Sequence, residues 1–261
     1  MLGWPSLSMS DSINTKPKII AIFIAYKAAR ELENFYRSFP KELFDEIILV
    51  DDNSKDNTFE LSSSIGIESY ENPTNLGYGG NLKRALLIAL QKEADIIVDI
   101  HPDGEYKPSA IVPAIEAIKD GSEFVLGNRF FKGHKPTENG MYTWKLLPLM
   151  MLGWISKVVL RLPIDDYHQG FRVYTRKLLE EVNFKANSND YAFSIELLAQ
   201  AAFYNIRTSL VPVEVSYTGD KRGASLKNSI IYSLRTLKVL FLYTVAKCGF
   251  THPLFHKPPT T

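Results

Sequence analysis

The segment VDIHPDGEYKP, Val98 to Pro108, sets His101, Asp103 and Glu105 at every second position. An extended backbone turns alternate side chains the same way, so all three would face one site. Carboxylate oxygens are the hard ligands that Mg2+ and Mn2+ prefer, and one or two carboxylates plus substrate phosphates commonly hold such an ion. A polar turn made by Pro102 and Gly104 accounts for the same residues more plainly, with Asp99 belonging to the strand before it.

Two further segments carry similar potential. VDDNSKDNT, Val50 to Thr58, places Asp51 and Asp52 where an apolar run ends. Paired carboxylates there can accept hydrogen bonds from a nucleobase or ribose; in the simpler alternative they belong to a solvated turn, with Ser54 or Asn57 capping the next helix. NPTNLGYGGNLKRAL, Asn72 to Leu86, puts Gly77, Gly79 and Gly80 directly before a helix bearing Lys83 and Arg84. Backbone amides at a helix N-terminus suit a phosphate. The G-x-G-x-x-G dinucleotide fingerprint is absent, however, and a plain turn also explains the glycines.

These segments follow apolar runs at Ile19–Ala25, Glu46–Val50 and Asp95–Ile100; a fourth run covers Glu123–Leu126. Near-continuous Ile, Val and Phe is the pattern of parallel strands covered on both faces. Helical stretches near Arg30–Phe39, Asn57–Ser64, Tyr78–Lys92 and Pro108–Lys119 alternate with them, which predicts βαβ units and an α/β fold with ligands beyond the strands' carboxyl ends. Past Arg129 the alternation weakens. An apolar helical segment, Tyr142–Leu160, leads to the loop DDYHQGFR, Asp165–Arg172. Helices near Arg176–Val182 and Tyr191–Phe203 follow, then β-like runs at Thr208–Val211 and Val213–Tyr217, then a long amphipathic stretch, Leu226–Ala246.

Composition bounds the rest. With 261 residues, 45% hydrophobic and 23% charged, the chain can bury a large core without staples. Its single cysteine, Cys248, excludes an internal disulfide, and a net charge of +1 argues against a general nucleic-acid binder. The longest uncharged apolar run, Leu146–Ser156, lies between Lys145 and Lys157 and falls short of a membrane span. Met1 to Thr15 lacks the pattern of an export signal.

Taken in order, VDDNSKDNT, NLGYGG, HPDGEYKP, GNRF and QGFRVYTR resemble the family 2 glycosyltransferases with a GT-A fold, in particular the dolichol-phosphate mannosyltransferase-like branch. The resemblance covers about Lys18 to Leu242. It implies a Rossmann-like, mixed and mostly parallel sheet with helices on both faces, plus C-terminal amphipathic helices. The implied boundaries are a tail over 1–17, a catalytic domain over 18–217, and an acceptor loop with the amphipathic helix over 218–261. The implied activity is hexose transfer from a nucleotide-sugar, GDP-mannose first and UDP-glucose next, to a polyprenyl or dolichyl phosphate, with inversion and with Mg2+ or Mn2+. Carried over residue by residue, the family's metal and diphosphate motif falls on His101, Asp103 and Glu105, with His101 standing where the family has Asp and Glu105 where it has Gln. A softer imidazole ligand favours Mn2+, or else His101 contacts phosphate and leaves the ion to the carboxylates. Donor contacts map to Asp52, Gly77, Lys83 and His101, and to Ala25, Tyr26 and Lys27 within IAYKAA, where the family's acidic residue is missing. Arg129 and Arg172 match positions near the acceptor phosphate or the diphosphate, where a guanidinium fork suits phosphate; with Asp103 they form the expected catalytic set. Asp166 matches a residue that orients its loop, Glu196 a helix carboxylate suited to pairing an Arg, and Arg222, Ser225 and Lys227 a loop over phosphates.

The near-neutral charge conceals an asymmetry. Leu126–Arg161 and Gly219–Lys247 each hold six Lys or Arg against one acid, so the remainder totals −9. In the second segment Ile230, Leu234, Leu237, Phe241 and Val245 fall on one helical stripe flanked by Lys227, Arg235 and Lys238. Such a helix suits a lipid headgroup layer; packing on the domain itself or on a second subunit of a homo-oligomer is the alternative use. The expected placement is cytoplasmic, peripheral to the cytoplasmic face of a membrane. Two other functions fit the residues: a family 2 transferase with a saccharide acceptor, and a nucleotide-sugar-binding scaffold that has lost catalysis, given His101 and the missing acid in IAYKAA.

Overall fold

The structure, a computed structural model, describes residues 16–217 and 226–258. Its strands are β1 (Ile19–Ala25), β2 (Glu46–Asp51), β3 (Glu68–Glu71), β4 (Ile96–Asp99), β5 (Phe124–Asn128), β6 (Arg172–Thr175) and β7 (Thr208–Pro212). They form one sheet in the order β3-β2-β1-β4-β6-β5-β7. Only β6 runs antiparallel, between β4 and β5; the other pairings are parallel. The helices are α1 (Ala29–Ser38), α2 (Thr58–Ser64), α3 (Tyr78–Gln91), α4 (Ile111–Lys119), α5 (Thr143–Leu160), α6 (Arg176–Glu181), α7 (Phe193–Phe203) and α8 (Leu226–Lys247).

Strand β1, IIAIFIA, is buried at every residue because both faces of the sheet are covered. Ile20, Ile22 and Ile24 enter a core shared with Leu82, Ala85 and Leu86 of α3 and Leu198 of α7. The alternate residues Ala21 and Phe23 enter the opposite core with Leu32 and Phe35 of α1. Phe23 meets Phe35 and Phe39 edge-on at 5.4 and 4.9 Å, a favoured aromatic geometry.

Three elements differ from the sequence-based expectation. β3, ESYE, is a short half-exposed edge strand without an apolar run. β6 begins on Arg172, inside what the spacing predicts to be a loop end, and is specified by its two antiparallel neighbours. The β-like run Val213–Tyr217 makes one isolated bridge, Tyr106 to Val215. That bridge holds the acidic turn in place: Ser216 N donates to Glu105 O at 2.8 Å, and Lys107 N to Glu214 O at 3.0 Å.

Helices α5 and α8 pack on one another, and α8 packs on α7. The inner side of α8 buries Thr236, Val239, Leu240 and Tyr243, and α5 buries Leu152, Ser156 and Leu160. Outward they present Leu147, Met150 and Trp154 of α5 and Ile230, Leu234 and Phe241 of α8, each more than half exposed. The stripe read from the sequence therefore faces away from the domain, apart from its end at Val245, which is half-buried. Both helices are long and apolar enough to cross a membrane, though each window carries buried residues on its inner side. Neither contains an acidic residue.

Close packing at the start of α3 gives a test. A Cβ on Gly79 would lie 2.3 Å from Ser188 O and 2.8 Å from Asp190 O. Gly79→Ala is expected to destabilise the protein by about 1–3 kcal/mol in chemical denaturation, the usual cost of overpacking against backbone.

Candidate functional site

A cavity of about 620 Å³ opens between the acidic turn, the loop before β6, and the N-terminal parts of α5 and α8. His101, Asp103 and Glu105 all line it. Their convergence does not come from an extended backbone: Gly104 has φ +74° and the segment is a turn. Asp103 Oδ1 accepts from Glu105 N at 3.0 Å. Glu105 is pushed above the usual carboxylate range by burial and then by the like charge of Asp103. His101 stands edge-on to Tyr78 and Tyr106, and its Nε2 has no hydrogen-bond partner among the described residues.

Among the described residues, no three His, Cys, Asp or Glu side chains are grouped to hold a metal ion by themselves. The residues nevertheless fit an ion that takes most of its ligands from substrate and water. Two neighbouring carboxylates, with Glu105 raised by burial first and by the charge of Asp103 next, are what a divalent cation relieves.

The two arginines part company. Arg129, at the end of β5, is 5% exposed and grips Asp166 bidentately, Nε to Oδ2 and Nη2 to Oδ1, both at 2.8 Å. Its Nη2 also donates to His168 O at 2.7 Å and its Nη1 to Tyr217 OH at 3.1 Å. Burial works against both charges, but the pairing holds Asp166 below and Arg129 above their ordinary values. Arg129 thus organises the loop before β6, and most of its donors are unavailable to a phosphate. Arg172 is 1% exposed and lines the cavity. Its Nη1 donates to Tyr78 OH at 3.2 Å and its Nη2 to Gln169 O at 2.5 Å, while Nε has no partner among the described residues. No carboxylate forms a salt bridge with it among the described residues. A buried cation that feels Asp99 only through its field and holds no salt bridge is set to receive an anion.

The expected donor residues other than His101 do not line this cavity. Ala25 ends β1, with Tyr26 and Lys27 following, beside the end of β2: Asp52 N donates to Ala25 O and Lys27 N to Ser54 Oγ, both at 2.8 Å. Asp52 accepts from Leu76 N, Gly77 N and Asn72 Nδ2, so three of its roughly four acceptor positions are filled within the protein. The glycine loop is likewise closed. Gly79 N and Gly80 N both donate to Asn189 O, at 2.8 and 3.1 Å. Gly77, Gly79 and Gly80 are small because the backbone or side chains of Leu76, 188–190 and Phe193 press against them. Lys83 Nζ donates to Asn187 O at 2.8 Å, and burial lowers its pKa. The expectation of a phosphate at this helix start is therefore corrected: the loop 187–190 occupies it. Among the described residues Glu196 pairs no arginine; it accepts from Ser188 N and Oγ and fixes that same loop. Lys227 is exposed on the first turn of α8, and Arg222 and Ser225 lie outside the described residues.

Sequence reasoning missed several cavity residues: Tyr78, Tyr106, Tyr217, Tyr232, Lys145, His168 and Gln169. His168 and Gln169 stand inside the DDYHQGFR segment, but nothing in their types distinguished them from loop residues. His168 Nδ1 lies 2.8 Å from Tyr232 OH of α8. Burial drives its pKa down to about 4. Lys145 is lowered by burial, with Glu105 opposing.

The fold and cavity define a GT-A-type glycosyltransferase: a Rossmann-like, mostly parallel sheet with an acidic turn at a strand end and a buried cation facing it. The chain belongs to glycosyl transferase family 2, whose model matches residues 20–182. It is 28% identical over 245 residues to a UDP-N-acetylglucosamine–dolichyl-phosphate N-acetylglucosaminyltransferase of Methanococcus voltae, covering 85% of this chain and 97% of that protein. It is 29% identical over 227 residues to a dolichol-phosphate mannosyltransferase of Pyrococcus furiosus, covering 82% of this chain and 61% of that one. In fold it resembles mannosyl-3-phosphoglycerate synthase from Rubrobacter xylanophilus, with TM-score 0.67, 17% identity, and coverage of 94% and 79% of the two chains. Glucosyl-3-phosphoglycerate synthase from Mycobacterium tuberculosis, solved with Mn2+ and UDP, superposes with TM-score 0.62 at 19% identity over 90% and 81%.

Two tests follow from the loop before β6. Arg129→Ala strands a buried Asp166 and is expected to cost about 3–5 kcal/mol in chemical denaturation; Arg129→Met with Asp166→Leu should recover most of that loss. His168 binds a proton below about 4 when folded and near 6.5 when unfolded. The unfolded state thus holds more protons between these values, and stability falls as pH drops through that window, by at most about 3 kcal/mol. His168→Gln should flatten the denaturation-midpoint profile between pH 6.5 and 4.

Proposed function

We propose that this protein transfers a hexose from a nucleotide-sugar to a polyprenyl phosphate, with inversion, at the edge of a membrane. The observation that carries it is Arg172: buried, cavity-facing and without a salt-bridged carboxylate. Beside it the cavity wall is made by Trp144, Lys145 and Leu149 of α5 and Tyr232 of α8, the two helices whose outer faces are exposed and apolar. A phosphate on an apolar chain fits both features at once.

A lipid phosphate is already anionic at neutral pH, so its oxygen can attack the anomeric carbon without a base. The bond from that carbon to the diphosphate breaks, and the electron pair leaves with the nucleoside diphosphate. Arg172 and Lys145 hold the incoming phosphate on the cavity side. Asp103 and Glu105, with His101 adjacent, would hold Mg2+ or Mn2+, which supplies charge neutralisation of the leaving diphosphate. GDP-mannose is taken as first donor and UDP-glucose as next; relatives named for mannose transfer support the former, and one named for UDP-N-acetylglucosamine adds a third candidate.

The rival acceptor is a soluble phosphate such as 3-phosphoglycerate, which appears in the names of the fold neighbours. The exposed apolar faces of α5 and α8 favour the lipid. Assays with each donor should show transfer to polyprenyl phosphate in vesicles and none to 3-phosphoglycerate or free sugars; the reverse would overturn the lipid assignment. Asp103→Asn is expected to lower transfer about a hundredfold or more without moving the thermal midpoint, because Asp103 is half-buried and, among the described residues, bonds only a neighbouring amide.

Peripheral attachment to a cytoplasmic membrane face is part of the same proposal. Apolar helix faces flanked by Lys and Arg bind anionic bilayers through buried area and charge together. Trp154→Glu with Leu234→Glu should abolish co-flotation with anionic vesicles and leave the circular dichroism spectrum unaltered.

A further inference from the structure

Buried polar atoms without hydrogen-bond partners among the described residues gather at the cavity: His101 Nε2, Arg172 Nε and both ends of the Gln169 amide. Gln169 stands out among them. It is 4% exposed and lines the cavity, yet neither Oε1 nor Nε2 is bonded to any described residue. Its backbone carbonyl accepts from Arg172 Nη2, so the amide and the guanidinium belong to one tight turn. Space for the amide comes from Gly127 of β5. A Cβ there would lie 3.2 Å from Gln169 Oε1 and 2.5 Å from Val213 Cγ1.

An amide buried with both ends unbonded loses its hydration and gains nothing in return. The ligand that repairs this must accept from Nε2 and donate to Oε1. A phosphate only accepts, so it would satisfy one end and repel the other. An apolar lipid chain satisfies neither. A hydroxyl does both jobs, and so does an acetamido group. Within a transferase cavity the molecule that bears such groups is the sugar.

We infer that Gln169 is a specificity-determining residue for the donor, its amide reading a hydroxyl or acetamido group of the transferred hexose. This rests on the assignment of the cavity to a nucleotide-sugar, and the division of labour it implies is simple. Arg172 receives phosphate; Gln169, three residues earlier, recognises the neutral ring.

The test compares sugar-bearing and sugar-free nucleotides by calorimetry, with Mn2+ present. Wild-type protein, Gln169→Ala and the near-isosteric Gln169→Met are each titrated with GDP-mannose, UDP-glucose and UDP-N-acetylglucosamine, and with GDP and UDP. Both variants should bind the preferred nucleotide-sugar about 10–100-fold more weakly, the range expected when a polar site loses its hydrogen bond to a substrate. Affinity for the matching free nucleoside diphosphate should stay unchanged, and the spread among the three sugars should narrow. The unliganded thermal midpoint should hold or rise, since an unsatisfied amide has been removed. Equal weakening of sugar-bearing and sugar-free nucleotides, unchanged sugar affinity, or a lowered midpoint with discrimination intact would each overturn the role of Gln169 alone. Failure of the wild-type protein to bind any nucleotide-sugar would overturn the donor assignment and this inference with it.

Discussion

The bidentate ion pair between Arg129 and Asp166 is the contact on which the site depends. It ties the end of β5 to the loop before β6, deep in the molecule, and adds the His168 carbonyl and the Tyr217 hydroxyl to the same guanidinium. Two charges removed from water gain stability only when geometry and extra hydrogen bonds are this complete. The consequence is positional. Once Asp166 and the His168 carbonyl are fixed, the turn through Gln169 and Gly170 has little freedom before Arg172 enters the sheet between β4 and β5.

That arrangement divides the cations by task. Arg129 has its counter-charge within the fold. Arg172 has hydroxyl and carbonyl neighbours and, among the described residues, no salt-bridged carboxylate, with Asp99 acting on it only through its field, so its guanidinium keeps capacity for an anion from outside. Lys145 lines the same cavity, lowered by burial, where α5 begins its exposed apolar course. Polar chemistry at the floor and apolar surface at the rim meet within one cavity of about 620 Å³. An acceptor with an anionic head and a hydrocarbon tail matches that gradient better than one that is polar throughout.

A similar economy governs the glycine-rich segment. Its sequence suggests amides laid open for phosphate, yet the loop 187–190 is drawn onto it, held by Glu196 through Ser188 and by Lys83 through Asn187. Glycine serves close approach of backbone to backbone there, which its lack of a Cβ permits equally well. Local composition could not separate the two uses, because the partner loop lies more than a hundred residues away in the chain.

The sequence by itself determined the α/β class, most strand and helix positions, the family, and the acidic turn at His101, Asp103 and Glu105, because apolar periodicity and short motifs are local properties. It also determined that the stripe through Ile230, Leu234 and Phe241 is apolar, though not which way it faces. Tertiary structure alone decided that outward orientation, the insertion of β6 against its neighbours' direction, and the different fates of two arginines that look alike in the chain. Those outcomes turn on which carboxylate or carbonyl comes within hydrogen-bond distance across 37 residues for Arg129 and Asp166, or 94 for Arg172 and Tyr78. Spacing along one segment carries no record of such encounters; packing of the sheet and its loops does.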